Sequence, residues 1–355
     1  MATSLFCSCS VQDGDKSAQT ETFMPGTGKT VATTPSADNG RIRVVSYNVE
    51  NLYDTEDDPA TNDDDFTESG KYKWNKSRYK EKIENLSKAI MSTETEAPAI
   101  IGLCEVENKK VVEDLVASKR MSNSSYKILH KDSPDIRGID VALIYRSDLL
   151  SVKQCSWLKV KLPSGGYSRD ILYAKMKTQN NGQLHILVNH WPSMREGEQE
   201  SNAKRDAAAK VARNTADSIL KKDANANIMM IGDFNTTPQS SSLTNVLYAK
   251  NTIDAIPQNM RLYNLMAQYD GNDDMGTHKY KGKWSVLDQI IVSGNALDKS
   301  SNLYTTPSSA KICQSDFLLY ENKKGYKYPK RTFSGTQYER GYSDHLPVFV
   351  DLYMK

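Results

Sequence analysis

Residues 228–235 read Ile-Met-Met-Ile-Gly-Asp-Phe-Asn. Four apolar residues in a row, closed by a glycine, have the pattern of a strand buried on both faces. The aspartate that follows is carried to the rim of the core, where rigid scaffolding presents functional groups. The same design recurs along the chain. Val44-Val45 runs into Ser46-Tyr47-Asn48-Val49-Glu50-Asn51, and Ile100–Cys104 runs into Glu105-Val106-Glu107-Asn108. His185–Val188 runs into Asn189-His190-Trp191-Pro192. Near the C-terminus, Leu287-Asp288-Gln289 starts a strand and Gly341-Tyr342-Ser343-Asp344-His345 precedes the last one.

Between these runs the patterns alternate. Arg41–Tyr47 predicts a strand, followed by a long loop with nine acidic residues from Glu50 to Glu68 and no basic ones. The basic, aromatic stretch Lys71–Lys80 leads into a helix with Ile83, Leu86 and Ile90 on one face. Val111, Val112, Leu115 and Val116 fit a second helix, and Ser201 to Lys221 a long, alanine-rich third. Strands are expected at Tyr126–Leu129, Ile139–Tyr145, Val152–Val160, Ile171–Met176, Leu184–Asn189, Leu287–Val292 and Pro347–Leu352. This mixed order predicts an α+β fold, two packed β-sheets with helices outside.

The 355 residues include 46 Lys and Arg against 44 Asp and Glu, a net charge of +2. That excludes a strongly basic, histone-like binder and an acidic disordered tail. With a mean hydropathy of −0.62 and no apolar run near the ~18 residues of a membrane span, no integral membrane segment is expected. Five cysteines without a CxxC pair exclude a zinc ribbon and give no disulfide framework. Residues 1–40 read as a signal remnant or disordered tether, with 41–355 as the folded domain. Cys7 and Cys9 follow a small apolar stretch, which makes a lipid anchor and an exported protein (periplasmic or surface lipoprotein) the expectation over a cytoplasmic one. The first basic residue, Lys16, comes after the cysteines, where a signal would carry it before them.

The residue types at the strand ends match one chemistry. Carboxylates and Asn carbonyls are hard oxygen ligands suited to Mg²⁺ or Mn²⁺, with Ca²⁺ also accommodated. Histidines beside carboxylates donate protons or stabilise an oxyanion. Together they suit metal-assisted hydrolysis of a phosphate ester. Each motif alone has an ordinary structural reading: Asp-x-Asn caps turns, and Glu-Val-Glu-Asn precedes a helix. His130, His185 and His278 find no partner by sequence, and the Asp54–Asp65 loop lacks EF-hand spacing.

Taken in order, Ser46-Tyr47-Asn48, Leu103-Cys104-Glu105-Val106, Gly138-Ile139-Asp140-Val141-Ala142-Leu143, Gly232-Asp233-Phe234-Asn235, Val286-Leu287-Asp288-Gln289-Ile290 and Ser343-Asp344-His345-Leu346-Pro347 resemble the endonuclease/exonuclease/phosphatase superfamily, the deoxyribonuclease I-like phosphoesterases. The resemblance runs from about Val44 to Val350. It implies a four-layer α/β/β/α sandwich with the site at one end of the paired sheets. It also implies Asn48, Glu105 and Asp344 as metal ligands, Asp233 as the group that orients or deprotonates water, and Asn235 as a phosphate contact. His345 would bind the scissile phosphate, held by Asp288, and His190 would help protonate the leaving group. Arg137 could meet the substrate phosphate or make a surface ion pair. Lys73 and Arg78, in the basic patch Lys71–Lys82, are candidate substrate contacts, and Lys323–Arg331 is a second basic-aromatic patch. The expected activity is that of a metal-dependent nuclease acting as a monomer on nucleic acid. A phosphatase, a phospholipase-C-type hydrolase and a non-catalytic binding module are the alternatives.

Overall fold

Arg41-Ile42-Arg43-Val44-Val45 forms a strand because its alternation matches the two faces of a sheet. Arg43 on the polar side makes a bidentate pair with Asp351, Nε to Oδ1 at 2.8 Å and Nη2 to Oδ2 at 2.9 Å. The computed structural model describes residues 40–94, 96–194 and 198–355. Cys7, Cys9 and the rest of the expected tether before Gly40 lie outside the described residues.

The chain begins with β1 (Arg41–Leu52), α1 (Lys76–Met91), β2 (Ile100–Val106), α2 (Lys109–Val116), β3 (Tyr126–His130) and β4 (Asp140–Arg146). Next come β5 (Leu150–Leu158), β6 (Ile171–Thr178), β7 (Gln183–His190), α3 (Glu198–Lys222) and β8 (Ile228–Asp233). Short strands β9 (Ala249–Lys250) and β10 (Leu262–Asn264) precede a hairpin of β11 (His278–Tyr280) and β12 (Lys283–Ser285). The last third contains β13 (Asp288–Ser293), β14 (Leu303–Thr305), β15 (Lys311–Ile312) and the hairpin β16 (Leu319–Glu321) with β17 (Lys327–Pro329). It closes with the hairpin β18 (Phe333–Ser334) and β19 (Gln337–Tyr338), then β20 (Val348–Met354).

One seven-stranded sheet runs β14-β20-β1-β2-β4-β3, with β15 also on β20; the other runs β5-β6-β7-β8-β13-β10-β9. At the heart of each is a parallel pair joined through a helix. β1 and β2 pair from Val44–Ile100 to Asn48–Cys104, and β7 and β8 from His185–Ile228 to His190–Asp233. The inner faces pack together, and the outer faces are covered by α1 and α2 on one side and α3 on the other. Apolar spacing decides each cover. Ile83, Leu86 and Ile90 of α1 are buried with Val111, Val112 and Leu115 of α2. Ala208, Ala209, Ala212 and Ala216 let α3 lie close to Ile228, Met230 and Ile291. Asn75 caps α1 by accepting from the Ser77 and Arg78 amides, and Asn108 caps α2 through the Val111 amide.

The α+β sandwich expected from the sequence is therefore present. Gly102 explains how closely its sheets approach: a Cβ there would sit 2.6 Å from Ile231 Cδ1. The loop expected straight after Tyr47 begins later, since β1 continues to Leu52. Val49 and Leu52 are fully buried, while Glu50 and Asn51 take left-handed backbone (φ 51° and 53°). That local bend keeps the polar stretch hydrogen-bonded to the sheet.

Candidate active site

The C-terminal ends of both parallel pairs lie at one end of the sandwich, and the sequence at each is bent there. In β2, Glu105 sits at a register shift against β4, with φ 67°. This bulge turns its carboxylate out of the alternation. Oε2 accepts the Asn51 amide at 2.9 Å, and Oε1 lies 3.8 Å from His190 Nε2. In β8, Gly232 has φ 130°, and a Cβ there would lie 1.9 Å from the Asn189 carbonyl oxygen. Only glycine fits, which is the physical content of the Gly-Asp-Phe-Asn motif.

Asp233 is buried and surrounded by donors. Asn48 Nδ2 donates to its Oδ2 at 3.0 Å, and the Asn235 amide donates to its Oδ1 at 2.8 Å. Asn235 Nδ2 reaches Oδ2 at 3.2 Å and the Trp191 carbonyl at 2.9 Å. Burial pushes the Asp233 carboxyl up to about 7; His345 opposes this and Asp288 adds to it. His345 Nε2 is 3.8 Å from Asp233 Oδ2, and its Nδ1 is bonded to Asp288 Oδ2 at 2.7 Å. Burial alone would drive the proton off His345. The Asp288 and Asp233 carboxylates outweigh it and hold this imidazole well above the ordinary histidine range.

His190 lies 3.8 Å from both Glu105 Oε1 and Asp233 Oδ2. Burial first, then Arg169, Arg137 and His345, hold it well below the ordinary range. The two histidines are thus pushed in opposite directions, His345 up and His190 down.

The remaining expected residues fall into two groups. Asp344 pairs with Arg331 Nη2 at 2.7 Å. Burial pushes its carboxyl up, but His345, His278, Arg331 and Lys82 together hold it below the carboxylate range. Arg137 pairs with Asp135 (3.4 Å), which is shared with Arg169, and Arg169 donates to the His190 carbonyl at 3.1 Å. Lys73 and Arg78 are spent locally. Lys73 donates to the Ser69 carbonyl at 3.0 Å; Arg78 donates to the Tyr72 carbonyl and lies 4.7 Å over the Tyr338 ring. Neither contacts the Asp233–His345 centre.

Several residues around this centre are not assigned a role from the sequence. His278 opens β11, and its ring lies tilted against that of His345, with centroids 4.8 Å apart. The two residues also form a backbone bridge, and burial lowers His278 to about 4. Ser343 donates to the Asn48 carbonyl at 2.7 Å and accepts the His345 amide. Glu50, pushed up to about 7 by burial and Asp344, accepts the Thr332 amide at 2.6 Å and faces Arg331. Beneath them the buried Lys82 donates to the Tyr342 carbonyl at 2.6 Å.

Glu105, Asn48 and Asp344, the expected metal ligands, are oxygen donors of the kind a hard divalent cation takes, although Asn48 Oδ1 also accepts the Glu50 amide at 3.0 Å. Glu105 Oε1 accepts no hydrogen bond among the described residues, and Asn48 and Asp344 add oxygen donors on the neighbouring elements. Asp233, Asp288 and His345 also lie within 4.8 Å of one another. The 2.7 Å Asp288–His345 bond makes that trio an acid–imidazole pair in its own right.

A two-sheet sandwich with carboxylates and histidines gathered at one end has the groups that metal-assisted phosphate-ester hydrolysis needs. The chain belongs to the Endonuclease/Exonuclease/phosphatase family, whose model matches residues 43–354. Family membership supports a hydrolytic, divalent-metal-dependent enzyme. No curated protein matches the sequence. Among solved structures, a humanized D. rerio TDP2 is 13% identical, with TM-score 0.54, covering 89% of this chain and 100% of its own. A Bacteroides thetaiotaomicron endonuclease/exonuclease/phosphatase family protein is 15% identical, with TM-score 0.53 and coverages of 89% and 95%. The human Nocturnin catalytic domain with bound sulfate is 12% identical, with TM-score 0.51 and coverages of 89% and 96%. At these identities the likeness is one of fold.

Proposed function

We propose that the protein is a Mg²⁺-dependent nuclease that hydrolyses phosphodiester bonds by attack of an activated water. Glu105, Asn48 and Asp344 would hold the ion, which neutralises charge on the phosphate when bound. Asp233 takes the proton of the attacking water, and its hydrogen bonds from Asn48 and Asn235 fix the accepting oxygen. His345, cationic and held by Asp288, donates Nε2–H to a phosphoryl oxygen as charge builds there. His190 gives a hydrogen bond to the leaving oxygen.

The observation that favours nucleic acid is a basic-aromatic wall that starts at the site. His278 packs against His345, and the next residue, Lys279, places its ammonium 4.7 Å from the Tyr328 ring and 5.0 Å from Trp284. Tyr320 stacks on Tyr328, and Tyr280, Tyr320 and Tyr326 are exposed. Exposed rings beside lysines suit bases on a charged backbone.

The test uses plasmid DNA, an abasic duplex, p-nitrophenyl phosphate, bis-p-nitrophenyl phosphate and sphingomyelin, with Mg²⁺, Mn²⁺ or EDTA. Diester cleavage with metal, lost in EDTA and in Asp233→Asn, is the expected result. Cleavage of monoesters or sphingomyelin alone would overturn the nuclease reading, and no hydrolysis at all would point to a binding module.

A further inference from the structure

A second histidine–carboxylate group lies outside the site above. His130 ends β3 and Asp140 begins β4, joined by the loop that contains Asp132. The three offer ligand atoms all within 4.8 Å of one another. His130 Nε2 is 3.7 Å from Asp140 Oδ2, and Nδ1 is 3.8 Å from Asp132 Oδ1. Neither distance is a hydrogen bond. The His130 side chain is 1% exposed, and its Nε2 has no hydrogen-bond partner. A buried ring nitrogen without a partner is costly unless something fills the gap. Asp140 is oriented for that role, since its Oδ1 accepts both the Ser133 amide (2.9 Å) and the Ser133 hydroxyl. This leaves Oδ2 towards the imidazole, and such outer contacts typically fix metal-binding carboxylates.

We propose that His130, Asp132 and Asp140 form a second divalent-metal site for a borderline transition ion such as Zn²⁺. One imidazole with two carboxylates selects such an ion over Ca²⁺ or Mg²⁺, which prefer all-oxygen shells. Two ligands on a tetrahedral Zn²⁺ at ~2.0–2.1 Å lie about 3.3 Å apart, so the 3.7 Å between His130 Nε2 and Asp140 Oδ2 needs to close by only a few tenths of an ångström; the exposed Asp132 carboxylate, within 4.8 Å of both, would swing from the Nδ1 side to join them. Water completes the shell at the open side, where Asp132 is 84% exposed. The ion would tie both ends of the loop between β3 and β4. That loop carries Asp135, which anchors Arg137 and Arg169 beside His190. The second ion is thus a positioning element, and it does not depend on the substrate proposed for the main site.

Equilibrium dialysis of the full chain against Zn²⁺ tests this, with Glu105→Gln used to disable the main site. Glu105→Gln is expected to retain one bound ion, and Glu105→Gln with His130→Gln to retain none. Asp132→Asn, at an exposed position that folding does not need, is expected to weaken that ion in the Glu105→Gln background. Zn²⁺ should also slow hydrogen exchange of residues 131–139 in Glu105→Gln, and not once His130→Gln is added. A Glu105→Gln chain that binds no Zn²⁺, or one whose bound ion is unaffected by both His130→Gln and Asp132→Asn, would overturn the proposal. None of these readouts requires hydrolysis, so a failed nuclease assay leaves them interpretable.

Discussion

β4 and β13 occupy matching places in their sheets, each antiparallel to the second strand of a parallel pair, and each begins with an aspartate. Asp140 stands opposite Val106 and Asp288 opposite Asp233. Each faces a histidine. In one half the pair is closed, with Asp288 to His345 at 2.7 Å; in the other it is open, with Asp140 to His130 at 3.7 Å. The strand ends before them differ in the same sense. The first half delivers Asn48 and a partly exposed Glu105, both oxygen donors; the second delivers the buried His190 and Asp233. On the proposed reading, one scaffold used twice separates ion holding at the first half from proton handling at the second.

The largest effect should come from opening the closed pair. His345→Ala or Asp288→Asn is expected to lower kcat on bis-p-nitrophenyl phosphate by ~10²–10³ with the fold intact, the usual loss when one transition-state donor is removed. Asp140→Asn, at the matching position, should cost far less turnover with Mg²⁺ present. Steady-state kinetics with circular dichroism as a folding control decides it. Near-normal hydrolysis by His345→Ala would dismiss the assigned role, and equal losses in the two aspartate variants would erase the distinction between the halves.

Much of this arrangement is legible in the sequence because buried strands advertise themselves. Ile228–Ile231 and Ile100–Cys104 are apolar without a break, so the polar residue ending each run marks the rim. Asn48, Glu105 and Asp233 stand at or just past the ends of such runs, whereas Asp288 opens a strand and His345 precedes one. His278 was missed, because it lies on a three-residue strand with no apolar run, and its partner His345 is 67 positions away. Lys82 was hidden inside the amphipathic pattern of α1, where only the three-dimensional packing against Thr332 and Tyr342 reveals a buried ammonium. The short hairpins β16–β17 and β18–β19 escaped for a related reason: strands of two or three residues give too few alternations to read. Basic composition drew Lys73 and Arg78 into the candidate set, yet their heads are engaged by nearby carbonyls.

A smaller effect tests how the halves are joined. Gly102→Ala would put a methyl 2.6 Å from Ile231 Cδ1 and 3.4 Å from Val188 Cγ1 across the sheet interface. Overpacking of this kind costs about 1–3 kcal/mol, read from the urea midpoint at constant slope. Ile231→Val removes the clashing methyl and should restore part of the loss, a coupling expected of touching residues. Independent, additive effects would mean the two sheets do not meet at Gly102.

The smallest effect separates the two ends of β7. His190, at its C-terminal end, belongs to the site, whereas His185, near its start, bonds Tyr173 Oη at 2.8 Å. Burial, helped by Lys175, lowers His185 from 6.5 to about 4. The unfolded chain therefore takes up a proton near pH 6.5 that the native chain refuses until about pH 4. Stability is flat above the upper value and falls as pH drops through that window, because protonation favours the unfolded state. Other lowered histidines contribute to the same slope, so the informative quantity is the difference between the natural chain and His185→Gln. The variant should lose one proton's worth of pH dependence between pH 6.5 and 4 while its metal-dependent turnover at pH 7 is unchanged. Parallel stability curves for the two proteins across that range would show that His185 is freely protonated in the fold.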